Sequence, residues 1–140
     1  MRDDKLLSPT LIPEVAVPFM NAVHHEELEL VNELLKKIDG GDSDNDVTQT
    51  LGAWLDHTIA HFAREEHYMQ TYNFPPFQIH VSEHQAVLAQ FDTVIQQWNS
   101  EHDRNALAAF IRQSWVPWLQ KHISTMDFVT AQFLSQFSIQ

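Results

Sequence analysis

Hydrophobic residues recur every three or four positions along four long stretches of the chain, which is the spacing of amphipathic α-helices. The first stretch begins at Pro18, a residue suited to a first helical turn, and ends at the glycines of residues 39–42. The second follows a predicted cap at Asp44 or Asp46 and continues to about Tyr72. Two consecutive prolines in the next few residues must break that helix.

The third stretch predicts a helix from about Phe77 to Trp98. The fourth predicts a helix that starts with Ser100 as its cap and continues to about Phe137. Pro117 lies inside it and is expected to kink it.

Four such helices, each about 30 Å long and joined by short loops, predict an all-α protein, an antiparallel up-down-up-down four-helix bundle. Residues 1–17 carry no sustained period and are expected to form a short N-terminal arm. Residues 18–137 are expected to form the bundle domain.

Composition removes several classes of function. The formal charge of −11 argues against nucleic acid and anionic membrane surfaces as partners, because both attract basic patches. The absence of cysteine excludes disulfides and thiolate metal sites. The sequence has no secretory signal and no apolar run of about 18 residues, so we expect a cytoplasmic protein. We expect it to be a monomer or a weak homo-oligomer.

Nine histidines in 140 residues are the unusual feature of the composition. His61 and Glu65 are four residues apart, as are His80 and His84, and residues at this spacing stand on one face of a helix. The inward faces of all four helices carry potential metal ligands. They are His24 or His25, His61, Glu65, His80, His84 and His122, with Asp127 nearby.

A single histidine in a helical core is more often satisfied by a hydrogen bond than by a metal. The full set favours a metal site, because burying this many polar groups without partners is costly. Imidazole and carboxylate ligands together suit iron, zinc, copper or manganese, and their number suggests two ions. The ferritin-type Glu-x-x-His pattern is not found, and His-x-x-x-Glu and His-x-x-x-His take its place.

The order of these motifs resembles the bacterial hemerythrins, a family of non-haem di-iron oxygen-binding proteins. The resemblance covers about residues 18–135. The matching pieces are Met20-Asn21-Ala22-Val23-His24 with Asn32, His61-Phe62-x-x-Glu65-Glu66-x-x-Met69, the turn Phe74-Pro75, His80-x-x-x-His84, and Trp118-Leu119-x-x-His122-Ile123-x-x-x-Asp127.

The resemblance implies a ligand set for two non-haem iron ions. His80, His84 and His122 would be the terminal ligands of one iron, and His24 and His61 would serve the other. Glu65 and Asp127 would bridge the pair together with an oxo or hydroxo group. The iron with two histidines would keep an open position for dioxygen. Two ferrous ions, two carboxylates and one hydroxide leave one positive charge, which is modest for a buried site.

Two assignments depend on local geometry. His24 is favoured over His25 because it shares a helix face with Met20 and Leu28. His122 and Asp127 are five residues apart, which is not one face of a regular α-helix. The resemblance selects Asp127, and local unwinding or a π-type bulge would reconcile the two positions.

The surroundings of the site carry further expectations. The carboxylate cluster Glu26, Glu27 and Glu29 is expected to be a solvated face, and Val129 is expected on the inward face of the fourth helix. His57 is interpreted as a partner to the site or as a packing residue, and His67 and His102 as surface residues. An apolar wall around the site is expected from Leu28, Phe62, Trp118, Ile123 and Met126.

The function implied by the resemblance is reversible dioxygen binding, for storage, for scavenging or for delivery to an oxygen-using enzyme. On this interpretation the protein is not an enzyme, although weak peroxidase or oxidase activity is compatible with the site. One alternative is a sensor of oxygen, redox state or iron that acts in trans on a signalling partner. Another is a di-iron peroxidase or a nitric-oxide-handling enzyme.

Overall fold

The computed structural model describes residues 6–137 and contains four long antiparallel helices, the fourth of which is interrupted. The first three are α1 (Pro18–Gly40), α2 (Asp44–Thr71) and α3 (Phe77–Glu101). The fourth helix is made of α4 (Arg104–Ala109), α5 (Val116–His122) and α6 (Phe128–Leu134), separated by π-helical segments at Phe110–Trp115 and Ile123–Asp127. The predicted all-α four-helix bundle is confirmed.

Helices α1 and α2 pack together, α2 packs on α3, and α1 and α3 both contact α4. Trp54 lies fully buried in the core between these elements. Its ring centroid is 4.5 Å from that of Phe91 and 5.2 Å from that of Trp115. No helix within residues 6–137 combines the length and the apolar character that crossing a membrane requires.

Two predicted helix caps are wrong. Ser43, rather than Asp44 or Asp46, caps α2, and its hydroxyl accepts from the Asp46 N–H at 3.1 Å. The two aspartates lie in the first turn, where negative charge suits the positive end of the helix.

Helix α3 continues past Ser100 to Glu101, so Ser100 cannot cap the fourth helix. The αL conformation of His102 (φ 51°) ends α3. Asp103 then provides the cap, accepting from the Ala106 N–H at 3.0 Å.

The second π-helical segment changes which residues of the fourth helix face the core. Val129 was predicted to point inward, but it is 50% exposed, and Thr130 and Leu134 are buried in its place. A π turn holds one more residue than an α turn, so every later side chain is rotated relative to an uninterrupted α-helix. The inward position predicted for Val129 is therefore wrong, because it holds only for an uninterrupted α-helix.

Pro117 is the second residue of α5, directly after the first π-helical segment. A proline cannot donate the backbone hydrogen bond that an α-helix interior requires. The π-helical turn that precedes Pro117 is consistent with this missing hydrogen bond.

The arm before α1 is held on the bundle by two asparagines of α1. The Asn32 side chain accepts from the Leu7 N–H at 2.8 Å and donates to the Leu7 carbonyl at 2.9 Å. Asn21 makes the same two contacts with the backbone of Val15, both at 2.9 Å. Gln120 of α5 donates to the Leu11 carbonyl at 3.2 Å. The arm therefore connects α1 with the fourth helix; residues 1–5 of the predicted arm lie outside the described residues.

We expect Asn32→Ala to lower the free energy of unfolding by about 1–3 kcal/mol, because it leaves a backbone N–H and C=O of the arm without their partners. Urea unfolding measures the change. Asn99→Ala, at an exposed position of α3, is the matched control and should stay within about 0.5 kcal/mol of the wild type. Equal effects of the two substitutions would contradict a clamping role for Asn32.

Candidate metal centre

Side chains from all four helices of the bundle meet in its middle. Their nitrogen and oxygen atoms form two groups that share Glu65, and within each group these atoms lie within 4.8 Å of one another. One group is Glu65, His80, His84, His122 and Asp127, and the other is His24, His61 and Glu65. All seven side chains are buried, with relative exposures of 0–5%. The structure thus brings together every residue that the resemblance selected.

Asp127 lies between the two groups. One of its oxygens, Oδ2, is 3.0 Å from Nε2 of His24. The other, Oδ1, is 3.2 Å from Nε2 of His80 and also 3.2 Å from Nε2 of His122. One oxygen therefore faces each group, which is the arrangement that a bridging carboxylate needs.

Glu65, on α2, also directs one carboxylate oxygen towards each group. Its Oε2 is 2.5 Å from Nε2 of His61, in one group. Its Oε1 is 3.4 Å from Nε2 of His84 and 3.5 Å from Nε2 of His80, in the other. The two carboxylates are the points at which the two sets of histidines meet.

Helix periodicity explains most of these positions. His61 and Glu65, and likewise His80 and His84, are each one turn apart on a single helix face. His24 is 1% exposed, whereas the adjacent His25 is only partly buried and lies outside both groups. Asp127 ends the π-helical segment that follows His122, and the extra residue in that turn places both side chains on the inside.

The other ring nitrogen of most of these histidines faces an oxygen outside the cluster. His80 Nδ1 lies 2.8 Å from the Thr130 hydroxyl. The corresponding partners are Glu66 for His84 at 2.9 Å, Glu83 for His122 at 3.0 Å and Glu27 for His61 at 3.5 Å. When Nδ1 donates to such an oxygen, the neutral ring presents the Nε2 lone pair to the centre, as metal-binding histidines do.

Glu27 was predicted to belong to a solvated face, and the structure contradicts this. It is 3% exposed and accepts from Trp54 Nε1 at 2.9 Å and from the Thr58 hydroxyl at 3.2 Å. The signal was available, because Glu27 lies three residues after His24, on nearly the same side of α1. The role of Thr130 was hidden by the π-helical segment.

Aromatic rings cover the centre on two sides. Phe62 stacks on His84 at 3.7 Å with an interplanar angle of 2°, and Trp118 stacks on His122 at 4.6 Å and 13°. Leu28 and Ile123 are buried, as expected for the apolar wall, and Met126 is partly buried.

The remaining histidines belong to neither group of metal-binding atoms. His57 is partly buried with its Nε2 3.3 Å from the Glu26 carboxylate, and His67 and His102 are exposed.

The cluster fits metal ions better than it fits a network of hydrogen bonds. Within residues 6–137, several of its buried atoms have no hydrogen-bond partner. They include Nε2 of His24, His80, His84 and His122, Oε1 of Glu65, and both carboxylate oxygens of Asp127. Native proteins rarely leave buried polar atoms unpaired, and these atoms point at a common centre. Metal coordination would satisfy all of them.

Without metal, the buried acids and bases of the cluster share protons. Burial alone would lower the pKa of His122, but the charge of Asp127 overcomes it and raises the pKa to about 9. Burial also opposes ionisation of Glu65, as does the charge of Asp127, yet the charge and hydrogen bond of His61 bring its pKa down to about 2. The charge of Glu65 likewise raises the pKa of His61 despite burial. Metal binding therefore has to displace protons.

A four-helix bundle with five buried histidines and two carboxylates at its centre has the arrangement in which helical bundle proteins build metal sites. The model of the hemerythrin HHE cation-binding domain matches residues 15–134. This match covers most of the chain, which belongs to the hemerythrin family.

Individual relatives agree with this assignment. The chain is 30% identical over 129 residues to a bacteriohemerythrin of Aquifex aeolicus (strain VF5), covering 92% of this chain and 98% of that one. It is 31% identical over 94 residues to a bacteriohemerythrin of Ralstonia nicotianae (strain ATCC BAA-1114 / GMI1000), covering 67% of each. A crystal structure of a leucine-to-phenylalanine mutant shares the fold, with a TM-score of 0.75, 23% identity, and coverage of 86% of this chain and 90% of that one.

The proton sharing predicts how the stability of the metal-free protein depends on pH. His122 has a folded-state pKa of about 9, above the ordinary 6.5, so its contribution is full below pH 6.5 and is lost as pH rises through 9. Glu65 has a folded-state pKa of about 2, below the ordinary 4.5, so its contribution is present above pH 4.5 and is lost as pH falls towards 2. The contribution of the centre should therefore be largest between pH 4.5 and 6.5.

Urea unfolding with a chelator present, from pH 3 to 10, measures this profile. Asp127→Asn should move the alkaline loss to lower pH, because it removes the charge that raises the pKa of His122. A wild-type profile that rises between pH 6.5 and 9 would contradict the proton-sharing description.

Proposed function

We propose that this protein binds dioxygen reversibly at two non-haem iron ions held by the seven clustered residues. The observation that carries the proposal is the convergence of unpaired Nε2 atoms on two buried carboxylates. Membership of the hemerythrin family supports iron as the metal and dioxygen as the ligand. Dioxygen is thus the proposed small-molecule partner.

The proposed ligands divide between the two iron ions according to the two groups of metal-binding atoms. His80, His84 and His122 would hold one iron, His24 and His61 the other, and Glu65 and Asp127 would serve both. An oxo or hydroxo bridge would complete the centre. When bound, two ferrous ions supply the electrons that dioxygen binding requires.

The protein's own part is to hold the ligands and to exclude water. Five imidazole ligands and only two carboxylate ligands would favour binding of oxygen over its cleavage, because oxygen-activating sites use more carboxylate ligands. The rings of Phe62 and Trp118, stacked on His84 and His122, fix those imidazoles and cover one group. The same apolar cover would limit the access of water and protons to the centre. We therefore propose a binding protein rather than an enzyme.

A surface cavity lies beside each of the two groups, and the one beside the group with three histidines, of about 230 Å³, reaches His80. A surface cavity of about 180 Å³ between α1 and α2 reaches His61 and is lined by Val23, Glu26, His57, Ala60 and Arg64. This second cavity lies on the side of the centre where the open position for dioxygen is proposed.

Metal content tests the proposed ligands. We expect His24→Gln to reduce iron from two ions per chain towards one, because only two histidines serve that ion. His25→Gln is the matched control at the adjacent position and should keep two. Elemental analysis of the reconstituted variants gives the counts. Full iron in His24→Gln together with loss in His25→Gln would show that the first ligand is misassigned.

Optical spectroscopy tests the function itself. The anaerobically reduced protein should be colourless, should gain visible charge-transfer absorption when air is added, and should bleach again when oxygen is removed. Absorption that settles at once into a stable oxidised spectrum would instead indicate an oxidase, a scavenger or a redox sensor acting in trans. Turnover of peroxide or nitric oxide well above that of free iron would indicate the enzymatic alternative.

A further inference from the structure

The carboxylate of Glu27 is buried beside the metal centre but belongs to neither group of metal-binding atoms. Its Oε2 accepts from Trp54 Nε1 and from the Thr58 hydroxyl, both on α2. These two donors leave Oε1 facing His61 Nδ1 at 3.5 Å, on the opposite side of the ring from Glu65. Glu27 therefore touches the centre only through one of its proposed ligands.

The other outer partners of the histidines differ from Glu27 in charge or in exposure. Thr130, next to His80, is neutral. The side chains of Glu66 and Glu83, next to His84 and His122, are each 32% exposed, so water screens their charge. The Glu27 side chain is 3% exposed. Among the described partners of these rings, Glu27 alone combines a negative charge with full burial.

A buried charge needs a partner of opposite sign, and the donors Trp54 and Thr58 are neutral. The cation available to Glu27 is His61 and, behind that ring, the proposed metal pair. Two ferrous ions, the two carboxylate ligands and one hydroxide leave a single positive charge, and Glu27 cancels it. Resting on the function proposed above, we propose that Glu27 is a positioning residue that orients His61 and lowers the reduction potential of the iron centre.

The expected sign follows from charge. Oxidation adds positive charge to the centre, and a fixed negative charge nearby in a medium of low dielectric constant favours the more positive state. Removing that charge should favour the reduced state. Glu27→Gln keeps the size and oxygen of the side chain while removing its charge, so it isolates this effect.

The experiment is a redox titration of the iron-loaded protein. Glu27→Gln should change the ratio of reduced to oxidised centre at fixed potential about tenfold towards the reduced form, which is about 59 mV for a one-electron step. Glu29→Gln, an exposed position on the same helix, is the matched control and should leave the potential unchanged. Glu27→Asp keeps the charge but withdraws it from His61, so its potential should lie between those of the wild type and Glu27→Gln.

Zinc binding gives a second readout that involves no change of oxidation state. Loss of an outer partner of a metal-binding histidine typically weakens affinity by about 10–100-fold. We expect Glu27→Gln to lower the affinity for one of the two zinc ions by that factor. Glu29→Gln should leave the affinity for both ions unchanged. Circular dichroism checks that each variant is folded, and if Glu27→Gln is not, Glu27→Asp carries both measurements.

The outcomes separate this inference from the proposed function. A wild-type protein with two irons, in which Glu27→Gln and Glu29→Gln have the same potential and zinc affinity, would overturn the role of Glu27 and leave oxygen binding intact. The same holds if only Glu27→Asp folds and it matches the wild type. A wild-type protein that takes up no iron would overturn the proposed function, and the role of Glu27 with it.

Discussion

The concentration of buried polar groups at the centre of the bundle is the constraint on which the rest of the structure depends. Five imidazoles and two carboxylates occupy a position where a helical protein of this size normally places leucine and valine. Such groups are tolerated only when each finds a partner, and the unpaired Nε2 atoms show that neighbouring side chains do not supply enough of them. Cations at the centre would supply the missing partners of these polar groups.

Contacts from the surrounding helices hold these groups in place. Each carboxylate faces both sets of histidines, and the outer nitrogens of four rings face oxygens from all four helices of the bundle. Aromatic rings stack on two imidazoles. Because four of the five rings have an outer partner, metal ions would enter a nearly formed site. On entering, they would displace the protons that the rings and carboxylates share.

Most of the fold was predictable because it depends on regular periodicity. The pairs His61 with Glu65 and His80 with His84 could be read directly from their four-residue spacing. His24 could be separated from His25 because its face also carries Met20. Helix lengths and loops followed from proline and glycine positions.

The parts that could not be predicted break that regularity or involve contacts between distant residues. The π-helical segment at Ile123–Asp127 turned Val129 outward and brought Thr130 to His80, which no uniform period foresees. Asp127 was identified by resemblance and not by spacing. Glu27 is a different case, because its spacing from His24 indicated an inward position. It was misplaced because three acidic residues within four positions look solvated, and its partners, Trp54 and Thr58, lie on another helix.

The ligand set itself awaits a direct test. Anomalous diffraction at the iron absorption edge, from crystals of the reconstituted protein, locates metal ions without assuming any function. We predict two iron peaks inside the bundle, one among His80, His84 and His122 and one beside His24 and His61, with Glu65 and Asp127 between them. A single peak, or iron bound only at surface carboxylates, would contradict it.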